Sequence, residues 1–162
     1  MRRAMTTIYA LVAVVTFSFA PVAAAWAGEA PLRLDGAGVS HLEADLRVLT
    51  VGAEADDPGS ADGIMTFVHV APAGVSRFVG AVTCLAIDDG GKVQLSGSVL
   101  DGVTAAGVEL TGKDFLFTLV VNEGPQSFSL PAFADAGVRG RCSGGSPNRV
   151  ATDYGGFVLE RP

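Results

Sequence analysis

Asp88-Asp89-Gly90-Gly91-Lys92-Val93-Gln94-Leu95-Ser96-Gly97-Ser98-Val99 is the stretch that decides the fold. Val93, Leu95 and Val99 fall on one side of a period-two alternation, and Lys92, Gln94, Ser96 and Ser98 fall on the other. That pattern belongs to a strand with one face on a core and the other in water. Two acidic residues followed by two glycines, at 88–91, form the chemistry of a tight chain reversal. The run before the turn, 77–87, is rich in β-formers, so the turn joins two antiparallel strands. In that run Val79, Ala81, Leu85 and Ile87 alternate with Phe78, Val82 and Cys84, and both faces are apolar. A strand apolar on both faces is covered on both faces. The stretch 131–153, rich in Gly, Ser and Pro, is the expected cover of the second face.

The same period extends in both directions. Downstream, Phe115-Leu116-Phe117-Thr118-Leu119-Val120-Val121 puts Phe115, Phe117, Leu119 and Val121 on an inner face. Asn122-Glu123-Gly124-Pro125 ends that strand, and 127–130 begins its return. Upstream, 44–51 alternates around Leu46, Val48 and Thr50, and a polar turn at 56–63 precedes a strand over 64–70. A short first strand is expected at 32–34 and a final one at 155–159. No helical period intervenes, so parallel βαβ units are excluded. The expected fold is therefore all-β, an antiparallel meander of seven or eight strands. A barrel-like curl is the first architecture and a two-sheet sandwich the second. In a barrel, Val93, Leu95, Phe115, Phe117 and Leu119 would line the interior and could contact a small apolar ligand.

Residues 1–27 read as a secretory signal peptide: Arg2 and Arg3, an apolar run over 8–20, then Ala25-Trp26-Ala27 as a small-x-small cleavage site. Residues 28–162 are then a single β domain, secreted or held in the cell envelope. No later segment is long and apolar enough for a helical membrane span. The leader holds two of the 11 basic residues and none of the 17 acidic ones. Its removal leaves an acidic chain, which excludes a nucleic-acid partner recruited by charge. The two cysteines, Cys84 and Cys142, meet an oxidising compartment and are expected to pair. A disulfide closing a loop of that length contributes about 4 kcal/mol by chain entropy.

No catalytic constellation is apparent. Gly140-Arg141-Cys142-Ser143-Gly144-Gly145 has the outline of a serine-protease nucleophile segment, but neither His41 nor His69 stands in a matching context. Asp56, Asp57 and Asp62 lack the spacing of a calcium loop and suit a turn. Two cysteines and two well-separated histidines do not make a zinc site, so no metal and no cofactor is expected. His69, alternating with Phe67 and Met65, reads as a structural residue of a strand.

The segments Gly80-Ala81-Val82-Thr83-Cys84-Leu85-Ala86-Ile87 and Gly91-Lys92-Val93-Gln94-Leu95-Ser96-Gly97-Ser98-Val99 resemble a pattern in small exported actinobacterial β-proteins. Those proteins carry a V-T-C-L strand, a short turn and a Gly-containing strand, and the resemblance spans roughly residues 60–160. It implies a secreted all-β fold and brings no activity and no catalytic residues. The expectation for function is a non-enzymatic binding or cell-envelope interaction module with an unknown protein or envelope partner. A small apolar-ligand carrier is the second expectation, and an enzyme on a barrel mouth the third.

Overall fold

The computed structural model describes residues 31–57, 60–121, 124–135, 142 and 148–161. The expected leader, residues 58–59 and 122–123 of two expected turns, and all of 136–147 except Cys142 lie outside the described residues.

The chain is all-β, with no helix among the described residues. Ten strands follow one another: β1 (Leu32–Leu42), β2 (Asp45–Ala55), β3 (Asp62–Ala71), β4 (Gly74–Ile87), β5 (Val93–Val103), β6 (Asp114–Val120), β7 (Ser127–Ser129), β8 (Ala132–Ala134), β9 (Arg149–Ala151) and β10 (Tyr154–Glu160). They form one antiparallel sheet in the order β10-β1-β2-β3-β4-β5-β6-β7-β9, with β8 also paired to β6. The sheet curls into a half-barrel, so the sandwich is overturned. The count of seven or eight strands is corrected to ten. The two additions, β8 and β9, are three residues each. Segments that short show no alternation to read.

The β4–β5 hairpin forms around the expected 88–91 turn, where Asp88 N–H donates to Lys92 O at 2.9 Å. Its register slips twice. Val82 pairs with Gly97 and Cys84 with Ser96, leaving Thr83 as the extra residue of a β-bulge. The bulge shifts parity, so Leu85 joins Phe78 and Val82 on the inner face rather than Val79 and Ala81 on the outer one. A second slip, between Val79 and Gly80, leaves Leu100 unpaired and half-exposed. In β2 the alternation is also the reverse of the one read from sequence. Arg47, Leu49, Val51, Ala53 and Ala55 are buried, and Leu46, Val48 and Thr50 take the outer face. Both faces of this strand are apolar, so the choice falls to register. Leu49 lies opposite Phe67 and Val51 opposite Met65, in the core.

The core fills the inside of the curl. Phe67, Phe78, Phe115 and Phe117 interlock, with ring centroids 5.5–6.2 Å apart in tilted and edge-on pairs. Val93, Leu95 and Leu119 complete it at 0% exposure. Room for Phe115 comes from missing side chains: a Cβ on Gly80 would lie 2.4 Å from Phe115 Cε1.

The outer face of β5 and β6 departs from expectation. Gln94 and Ser96 were expected in water, yet they are 4% and 0% exposed. Gln94 belongs to a buried polar chain: Asp88 accepts from Gln94 Nε2, Gln94 Oε1 accepts from Thr118 Oγ1, and Thr118 N–H donates to Ser129 Oγ, while Ser96 Oγ is buried without a partner among the described residues. Cys84 sits on this same outer face, opposite Ser96, and is bonded to Cys142. The disulfide thus brings Cys142, from within the stretch expected to cover β4, onto that face.

Candidate functional site

The five cross-paired strands β10, β1, β2, β3 and β4 leave an outer face rich in valine, with Arg77, His41, Thr50 and Thr66 among its residues. One row of register partners runs Tyr154–Val39–Val48–Val68–Arg77. The adjacent row toward the hairpin tips runs His41–Leu46–Val70–Val75, and the row on the other side runs Gly156–Ala37–Thr50–Thr66–Val79. Tyr154 is 68% exposed and Val75 48%. His41 meets the Tyr154 ring edge-on with centroids 5.9 Å apart, and Thr50 and Thr66 join hydroxyls across the β2–β3 pair. Charge gathers farther along the strands, where Arg33 pairs with Asp35 and Glu54. A sheet face that meets water normally alternates to polar residues, and this one does so only in part. Five strands at ~4.8 Å and three rows of alternate residues cover roughly 20 Å by 20 Å. That is the size of the largest apolar patch on a typical monomer, which is often functional.

The inner face changes character at the same end of the barrel. Ser40, Arg47, His69 and Ser76 are consecutive register partners across β1–β4. They stand one layer beyond Leu49, Phe67 and Phe78. Asp45 Oδ2 lies 2.6 Å from Arg47 Nη2 and 3.2 Å from His69 Nε2, so one carboxylate oxygen joins the two bases. The Arg47 side chain is only 7% exposed, and its Nε and Nη1 are buried without acceptors. Ser76 Oγ accepts from Ala105 N–H at 2.9 Å.

A half-open cavity of about 190 Å³ begins at this polar row. Phe67, Phe78, Leu110, Leu130, Pro131 and Phe133 form its apolar wall, and His69, Ser76, Arg77 and Thr104 its polar one. The five residues expected to line an interior binding space, Val93, Leu95, Phe115, Phe117 and Leu119, are packed in the core and do not line this cavity. His69 does occupy the strand face expected for it, beside Phe67 and Met65. Arg47 was missed because an arginine in an alternating strand reads as a solvent-facing residue. Ser76 was missed because nothing local separates it from a turn serine.

Ser76, His69 and Asp45 together have the composition of a hydrolytic triad. Their bonding differs: the His69 ring bonds Asp45, Ser76 Oγ bonds the Ala105 amide, and no hydrogen bond joins Ser76 to His69. Among the described residues, no group of three or more His, Cys, Asp or Glu could hold a metal ion. Comparison with protein-family models, with curated proteins and with solved structures returns no match.

Proposed function

We propose that this chain is an exported, non-enzymatic interaction module that binds a protein or envelope partner through the outer face of β10 and β1–β4. The carrying observation is the run of Val39, Val48 and Val68 beside Leu46, Val70 and Val75 on adjacent outward rows. A partner with a flat apolar surface would remove these β-branched side chains from water, at ~25 cal/mol per Å² buried. Their stiff rotamers lose little freedom on docking. The Cys84–Cys142 disulfide accords with an oxidising destination. The non-enzymatic reading draws on the unjoined Ser76–His69 pair, since a nucleophile works through a base within hydrogen-bond reach.

The test is a charge placed at the centre of the patch. Val48→Lys and Val68→Glu, on half-buried outer positions, should leave the fold intact and abolish capture of the partner by the wild-type domain from envelope extracts. Retention of the same captured species by both variants would overturn the assignment. A second copy of the chain as the captured species would show on sedimentation as a dimer lost in both variants. Turnover of simple esters, lost in Ser76→Ala, would overturn the non-enzymatic part.

A further inference from the structure

We propose that the cavity at the β3–β4 end of the barrel binds a compact aromatic alcohol, with phenol as the minimal member of the class. This site is on the inner side of the sheet and shares only Arg77 with the outer rows described above. Its size suits one ring: about 190 Å³, against ~150 Å³ for a cavity known to admit benzene. Its apolar wall is aromatic where it matters. Phe78 lies between Phe67, at 5.9 Å, and Phe133, at 5.3 Å and edge-on. A further ring in this space extends a cluster of tilted and edge-on rings already in place.

The polar wall specifies the substituent. Asp45 accepts at Oδ2, and a carboxylate has no proton to give, so in a neutral imidazole His69 Nε2 is the donor to it. The other ring nitrogen, Nδ1, is then an acceptor, and it has no hydrogen-bond partner among the described residues. Ser76 presents the complementary group. Its oxygen already accepts from Ala105 N–H, so its own O–H remains to donate. One acceptor and one donor on neighbouring strands match a hydroxyl, which gives a proton to His69 and receives one from Ser76. A methyl ether has no proton to give, and a carboxylate faces the Nδ1 lone pair. Arg77 also borders the cavity, from a strand position that belongs to the outer rows of the sheet.

The test compares phenol, anisole, benzene and benzoate on the intact domain. Binding is followed by amide and ring chemical shifts. Phenol should bind about tenfold more tightly than anisole, as expected for loss of one buried hydrogen bond. Its largest shifts should fall on His69, Ser76 and Phe133. Ser76→Ala and His69→Phe should each bring phenol to the level of anisole measured in the same variant. Equal binding of phenol and anisole would overturn the proposal, as would tighter binding of benzoate or no binding of phenol. The wild-type comparison decides even if His69→Phe fails to fold.

Discussion

The Gln126 side chain holds both backbone polar groups of Phe157. Its Nε2 donates to Phe157 O at 2.9 Å, and its Oε1 accepts from Phe157 N–H at 2.7 Å. A side-chain amide thus stands where a neighbouring strand would present a peptide group. It joins the β7 side of the sheet to β10, and a third bond, to Val121 O, fixes the amide from behind. The chain itself crosses at the same place: β9 pairs with β7, and two residues later β10 pairs with β1. Gln126→Leu should therefore cost about 2–3 kcal/mol in urea unfolding, because buried backbone groups lose their partners. Hydrogen exchange at Phe157 should accelerate more than exchange at Leu95. Unchanged exchange at Phe157 would show that the seam holds without the amide.

Arg47 gives the opposite expectation. Two of its N–H-bearing nitrogens are buried without acceptors, and its one ion pair is with a partly exposed Asp45. Arg47→Met keeps much of the volume and removes the unsatisfied groups. Stability should hold or rise by about 1–2 kcal/mol. A loss of more than about 1 kcal/mol in the same assay would assign Arg47 a net stabilising role.

Acid should reach the β4–β5 turn only below the usual carboxylate range. The Lys92 backbone N–H holds the Asp88 carboxyl below its usual range, helped by the Gln94 amide and the Gly90 N–H and opposed by partial burial. A lowered folded-state value means the stabilisation is complete above the unfolded value. It is lost as pH falls through the folded one. Asp88→Asn should thus be destabilised relative to the parent at pH 7, and the difference should shrink by about pH 3. A gap that stayed constant over that range in denaturant titrations would contradict the role of the charge.

Gly80→Ala tests the packing of the aromatic core. The new methyl would press on the edge of Phe115, and overpacking of this kind costs about 1–3 kcal/mol. Adding Phe115→Leu should recover part of that loss, so the two changes should be non-additive. Simple additivity in thermal unfolding would argue that the ring moves aside freely.

Several elements were legible because their signals are local. The 88–91 turn and the inner face of Phe115, Phe117 and Leu119 follow from turn chemistry and a clean period of two. Where a strand is apolar on both sides, as in β2, alternation gives two equivalent answers. The neighbouring strand chose between them by placing Leu49 against Phe67. The bulge at Thr83 inverted Leu85, and no residue type announces a bulge.

From the sequence alone came the all-β class, the antiparallel order of the long strands and the expected pairing of Cys84 with Cys142. Those follow from side-chain period, turn residues and redox setting, each a property of a few neighbouring positions. Tertiary structure decided that Arg47, His69 and Ser76 share one inner row, that Gln94 and Ser96 are buried, and that Gln126 closes on Phe157. Each of these depends on register between strands remote in the chain. A shift of one residue in that register exchanges the inner and outer faces.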